Sequence, residues 1–369
     1  LNEVPCDVQD KPAVESFLLE TIRTELPPQA LSMEELTFKT IGLLPDDTDY
    51  SKQLIDFLVG QIGGYYDPKK KRFVMASWLP SGTQMGVAVH ELTHALQDQH
   101  HNIQKLLTPR SRTTDSDLAT SALIEGEASA VMFDYQSRST AGPTLARMAS
   151  VDSLLLLQVL GVSFGSQGAS LPDGLKGLLV FPYTSGLRFA HSLLKQGGYR
   201  ALDAAYARPP QTSREILHPE EYTTHSFQPD IPKQYELPGY SANTAPVHRD
   251  TLGEFGISSV LSGERVSKAS AARIAQGWVG DLLGVFPELN GQQRIAWIIR
   301  WETPSHASEF FSSYTEFLSA RYSVTPGAPT ANTRNLLLTP RKSVRVSLES
   351  KTVTCEFTLL TNAQHLLDR

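Results

Sequence analysis

Apolar positions recur at three- and four-residue intervals over residues 12–26 (PAVESFLLETIRTEL) and 46–62 (DDTDYSKQLIDFLVGQI), the spacing of helices that bury one face. Acidic residues open the second stretch, where a helix N-terminus favours them. Between 63 and 76, GGYYDPKKKRFVMA sets aromatic and β-branched residues on either side of DPKK, which predicts a hairpin. Met85, Ala88, Val89, Leu92, Ala95 and Leu96 predict a helix over 82–101, with no Pro or Gly after Gly86. Further helices are expected at 115–137, 143–161 and 183–206, followed by a loop over 207–249 rich in Pro, Ser and Thr. Beyond it the period shortens. RIAWIIRW (294–301), SVRVSLE (343–349) and TVTCEFTLL (352–360) read as strands, with a helix at 304–322 and a Pro-rich loop at 325–333. Trp278, Trp297 and Trp301 are expected in the core of this part. The architecture expected is α+β: a mainly helical domain with a small β-sheet over 1–249, then a smaller C-terminal α+β domain over 250–369.

Composition narrows the function classes. With 369 residues, 40% of them apolar, the chain has ample material for a buried core. Its net charge is −6 and its basic residues are scattered, so nothing points to nucleic acid. The most apolar stretch, SLLLLQVLGV (153–162), is too short for a membrane span. Cys6 and Cys355 show no metal-ligand spacing; they are either a disulfide tying the N-terminus to the last strand or two unrelated thiols. The first residue is Leu1, from which loss of a signal peptide or lipoprotein leader is expected, and with it a secreted or cell-envelope (periplasmic or lipoprotein) location.

The candidate chemistry lies in GVAVHELTHALQDQHHNIQ (86–104), which contains four histidines. His90-Glu91-Leu92-Thr93-His94 is an HExxH pattern: on a helix both imidazoles share one face and reach one ion, while Glu91 flanks the open coordination position. Zn2+ suits three protein ligands plus a water, and Glu91 is the expected general base. His100 has the ligand spacing of HExxHxxGxxH, but Gln97 occupies the position of the glycine that lets the chain leave the helix. On a continuing helix His100 lies roughly 9 Å beyond His94 along the axis, and His101 about 10 Å. Asp98 is expected to orient His94 or, preferably, to be solvated. The other candidates for the third ligand are Glu125 and Glu127 in ALIEGEASAVMFDY (122–135), which point about 200° apart on a helix, so only one faces the metal. Small residues around Glu125 allow close approach to the HExxH helix.

HExxH followed by Glu-Gly-x-Ala resembles the gluzincins, the clan that includes thermolysin and the membrane-alanyl aminopeptidases. The resemblance implies a zincin-like fold, zinc ligands His90, His94 and Glu125, and Glu91 as general base. Ile124 stands where those families often have Asn, and Ser129 where thermolysin-like enzymes have Asp. More broadly, Gly64-Tyr65-Tyr66-Asp67, HELTHALQDQH (90–100), the ALxEGxA segment at 122–128, PYxxGxxF (182–189), PPxTxxEILHPxxY (209–222) and GWxGD (277–281) resemble a set of bacterial proteins named metallopeptidases for their motif rather than a known substrate. The expected activity is hydrolysis of peptide bonds in a peptide or protein substrate. Tyr183 and His218 are the candidate oxyanion donors, and the strand at 72–76 the candidate edge for pairing with substrate. The alternative is a non-catalytic cell-envelope binding or assembly protein that retains the fold and a structural zinc.

Overall fold

The structure, a computed structural model, describes residues 2–25, 29–108, 113–155, 171–262, 266–325 and 332–361. The first half contains β1 (Cys6–Gln9), α1 (Lys11–Glu25), α2 (Ala30–Ile41), α3 (Tyr50–Gln61), β2 (Gly64–Asp67), β3 (Arg72–Ala76), α4 (Ser81–His101), α5 (Ile103–Leu107) and α6 (Thr114–Ser139). After these come α7 (Asp173–Gly197), α8 (Tyr199–Ala205), α9 (Ser213–Leu217), α10 (Pro219–Thr224), β4 (His248–Asp250), α11 (Gly253–Leu261) and α12 (Lys268–Ala275). The chain closes with β5 (Trp278–Val285), β6 (Gln292–Trp301), α13 (Pro304–Tyr322), β7 (Thr333–Thr339), β8 (Lys342–Glu349) and β9 (Thr352–Leu360). The class is α+β, a helical region followed by a separate sheet region. No described helix is long and apolar enough to cross a membrane.

Two compact units result, and the division differs from one at 249/250. The first comprises 1–32, 47–111 and 116–226; the second comprises 33–46, 112–115 and 227–369. Packing explains the difference. Tyr314 on α13 donates to the Ile41 carbonyl, and Lys342 to Lys39 O and Asp46, so 33–46 belongs with the C-terminal sheet. In the stretch 227–250, Leu237 packs with Leu282, Phe286 and Ile298 in the core of the second unit.

In the first unit β3 is central, parallel to β1 and antiparallel to β2. The β2–β3 hairpin forms as expected: Pro68 presets the turn, and Asp67 Oδ1 accepts from the N–H groups of Lys69 and Lys70, both at 3.0 Å. Helix α4 runs unbroken through Gln97 and stops at Asn102, whose φ of 54° ends it in the left-handed region. Helix α7 starts at Asp173 instead of 183, with Pro182 inside it. The hydrogen bond lost at the proline is offset by burying Leu175, Leu178, Phe181 and Leu187, which lie around more than half of the helix circumference. Of the helix expected at 143–161, a 3-10 turn (Leu145–Arg147) and helical residues 152–155 are present, and 156–161 lie outside the described residues. The expected loop at 207–249 contains α9, α10 and β4. Most of the loop expected at 325–333 also lies outside the described residues.

The second unit is a six-stranded antiparallel sheet in the order β4-β5-β6-β9-β8-β7. Burial alternates along most of β9, whereas β5 and the middle of β6 are buried on both faces, hence their continuous apolar sequence. Trp278, Trp297 and Trp301 are buried as expected. Trp297 meets the Phe310 and Tyr314 rings of α13 edge-on. Asp281 lies fully buried among them and accepts four hydrogen bonds: the indole N–H of Trp278 and Trp297 at 2.9 Å, and the Leu252 and Gly253 N–H groups at 3.0 Å. Cys6 and Cys355 are both free, the first exposed and the second buried in β9 opposite Trp297, so they lend no support to an oxidising compartment.

Replacing Asp281 with Ala leaves four donors without an acceptor, and the second unit is expected to lose more than about 3 kcal/mol in denaturant unfolding. Asp250, buried and accepting from Thr114 and Thr251, has its pKa pushed up to about 7, chiefly by burial. A carboxyl raised in the folded state contributes stability at low pH that is lost as pH climbs from about 4 through 7. Asp250→Asn, which can keep these bonds, is expected to remove that decline when unfolding is followed between pH 4 and 8.

Candidate metal centre

His90 and His94 lie one turn apart on α4, and Glu125 reaches them from α6. His90 Nε2 is 3.1 Å from Glu125 Oε2 and 3.1 Å from His94 Nε2, and His94 Nε2 is 3.5 Å from the same carboxylate oxygen. Ligands about 2.0–2.1 Å from a tetrahedral Zn2+ stand about 3.3–3.4 Å from one another, so the three donor atoms are spaced close to one face of such a tetrahedron. Among the described residues no other three His, Cys, Asp or Glu side chains converge in this way. Burial opposes the charged form of His94, but the Glu125 and Glu91 carboxylates and Gln97 overcome it and raise the imidazole to about 9. Burial likewise opposes ionisation of Glu125, yet the two imidazoles hold its carboxyl well below the usual range. The centre of the trio thus favours positive charge, as a cation site requires.

Glu91, one residue after His90, is 7% exposed. Burial pushes its carboxyl above the ordinary range and Glu125 adds to this, while His94, His90 and the Tyr66 backbone N–H pull the other way. Tyr66 therefore links the β2–β3 hairpin to Glu91. Its hydroxyl also donates to Asp98 Oδ2 at 2.8 Å, an oxygen that Lys71 shares. Asp98 is neither solvated nor turned to His94; it is buried and bound to the hairpin.

Glu127 points away from the trio, towards Gln97 and Tyr206. His100 is exposed, and His101 pairs with Asp203 and stacks on Tyr206, so neither joins the trio. The small residues near Glu125 serve a different approach from the expected one. A Cβ on Gly126 would lie 2.3 Å from Gly186 O, and one on Gly186 2.3 Å from Ala122 O, so Ala122 and Gly126 receive α7, not α4. The Gly of EGxA and the Gly of PYxxGxxF thus meet.

A cleft of about 600 Å³ opens on the trio, lined by His90, Glu91, His94, Glu125 and Tyr183 among largely apolar neighbours. Tyr183, 37% exposed, has its phenol held well above its ordinary value, first by Glu125, then by burial and by Glu91. His218 is not among the lining residues. It sits at the joint of α9 and α10, its ring 3.8 Å from Glu220. The block around it is held by local bonds: Thr212 caps α9, Arg214 grips Glu221 through two nitrogens, and the Tyr222 hydroxyl donates to Arg208 O. The strand at 72–76 is the centre of its sheet and not an edge; β2 is the outer strand, and Gly64, Tyr65 and Tyr66 line the cleft.

Residues 243–363 match a family described as a domain of unknown function (DUF8575). No curated protein and no solved structure matches the chain. The DUF8575 match covers the sheet from β4 to β9, including Asp281 and the buried tryptophans, and stops short of the trio and its cleft.

The sequence offers Glu127 only as the alternative third ligand and gives Gln97, Tyr66 and Tyr206 no role at the site. Gln97 carries a local signal, since i and i+3 side chains meet on a helix and His94 stands three residues before it. Tyr206 lies 79 residues from its partner Glu127, beyond any spacing rule. Gly126→Ala is expected to force α6 from α7, costing about 2 kcal/mol in thermal or denaturant unfolding and weakening metal retention after dialysis.

Proposed function

We propose that the first unit is a zinc-dependent metallopeptidase of gluzincin type, with His90, His94 and Glu125 as ligands and Glu91 as general base. The observation that supports this most directly is the triangle of donor atoms at 3.1, 3.1 and 3.5 Å, open to a cleft that also holds a buried glutamate of raised pKa. Two neutral imidazoles and one carboxylate are the donor set zinc takes in hydrolytic sites. Zinc, when bound, supplies a Lewis acid and a lowered pKa for water.

The remaining work falls to the chain. Glu91 takes a proton from the attacking water at its carboxylate and returns it to the leaving amine; its raised pKa suits both transfers. The Tyr183 phenol stays protonated at neutral pH and donates to the oxyanion as it forms. Apart from the Tyr66 N–H, which Glu91 accepts, the outer edge of β2 offers backbone groups to an extended peptide. Ile62, Val87, Ile124 and Leu178 give its side chains an apolar wall.

Metal analysis after dialysis is expected to find one zinc per chain in the wild type and in His100→Ala, and none in Glu125→Ala. Zinc kept by Glu125→Ala and lost from His100→Ala would make His100 the ligand. Glu91→Gln is expected to keep the zinc and lose peptide cleavage about 10²–10⁴-fold, measured on a peptide library. Unchanged cleavage in that variant removes Glu91 as the general base, whereas a zinc-loaded wild type that cleaves no member of the library removes the peptidase reading and favours a structural zinc.

A further inference from the structure

His94 is bonded on both sides of its ring, and the side away from the trio leads into a chain of hydrogen bonds. Gln97 Oε1 lies 2.8 Å from His94 Nδ1. The Gln97 Nε2 lies 2.9 Å from the Ile124 carbonyl oxygen and 2.9 Å from Glu127 Oε2. That Glu127 oxygen also accepts from the Tyr206 hydroxyl at 2.6 Å, and the Tyr206 ring is stacked on His101 at 4.1 Å.

The direction of each bond follows from the chemistry of the groups. A backbone carbonyl such as Ile124 O only accepts, and the Glu127 oxygen that accepts from the Tyr206 hydroxyl has a second lone pair with which to accept from Gln97. Both acceptors therefore require the NH2 end of Gln97, which fixes the amide orientation that geometry alone leaves open. The amide oxygen must then face His94. An amide oxygen only accepts, so Nδ1 carries a hydrogen and the metal-facing atom is Nε2. Reversing the amide would set NH2 against Nδ1 and an oxygen against two other oxygens.

We infer that Glu127, Gln97 and Tyr206 form a polarity relay that fixes the proton of His94 on Nδ1 and presents Nε2 to the metal. All three are positioning residues, acting through His94 and touching no substrate. The relay also joins the two ligand-bearing helices, since Gln97 is on α4 while Ile124 and Glu127 flank Glu125 on α6. Its effect on zinc rests on the proposed metal site, whereas its hydrogen-bond polarity does not.

The test combines two readouts on the full chain. In metal-free protein, 15N-edited NMR of the histidine rings is expected to show a slowly exchanging His94 Nδ1–H. Gln97→Met is expected to lose that protection and to bind zinc about 10–100-fold more weakly in chelator competition. Glu127→Gln keeps an acceptor oxygen and is expected to retain the protected proton and zinc affinity to within about threefold. A folded Gln97→Met that keeps both the protected proton and wild-type affinity overturns the relay, as does a folded wild type without the protected proton. A wild type that binds no zinc, but whose protected proton is lost in Gln97→Met, sinks the metal site and leaves the relay standing. Should Gln97→Met not fold, Glu127→Met, which leaves Ile124 O as an acceptor, is expected to speed exchange at Nδ1 and weaken zinc about threefold; no change in either overturns the relay.

Discussion

Where α6 crosses α7 two backbones touch with no side chain between them, Gly126 against Gly186 and Gly186 against the Ala122 carbonyl. A close-packed interior cannot absorb an added methyl at such a point without moving a helix. Glu125 immediately precedes Gly126, and Tyr183 stands three residues before Gly186, so one contact sets both cleft-facing side chains. The rest of the site depends on it in turn. Only with α6 held here does Glu125 come within 3.1 Å of His90, and only then do Ile124 O and Glu127 meet Gln97.

The second unit is organised around a single carboxylate in the same sense. Asp281 gathers two indoles from neighbouring strands and the first N–H groups of α11, so sheet and helix share one acceptor. The Trp and Asp of GWxGD are therefore partners, and the motif marks a polar centre inside an apolar core. A buried acceptor with every site filled specifies one packing arrangement, because each alternative leaves a donor unpaired. This region lies within the stretch that matches DUF8575.

Local patterns in the sequence were the legible ones. The HExxH helix, the hairpin with its Asp67 turn and the strands β6, β8 and β9 each follow from spacing within a few residues. The small residues around Glu125 mark it in the sequence, although they receive α7 and not α4. From sequence alone Asp98 reads as solvated, because most aspartates are, and only the fold brings Tyr66 and Lys71 to it. Strand 72–76 reads as an edge until β1, four residues long and far back in the chain, covers its other side. His218 carries a motif-like setting that Thr212, Arg214 and Tyr222 use for local structure.

Tyr66 is held from both ends: its hydroxyl by Asp98 on α4, its backbone N–H by Glu91 on the same helix. The outer strand β2 and the buried carboxylate are thereby registered to each other through one residue. A peptide laid along β2 would be gauged from the same ruler that sets the proton acceptor. On the proposed function, sliding the peptide by a residue would change which bond faces Glu91, while the strand itself cannot slide without moving Tyr66 away from Glu91. On that reading, alignment of the peptide and placement of Glu91 reduce to a single mechanical coordinate.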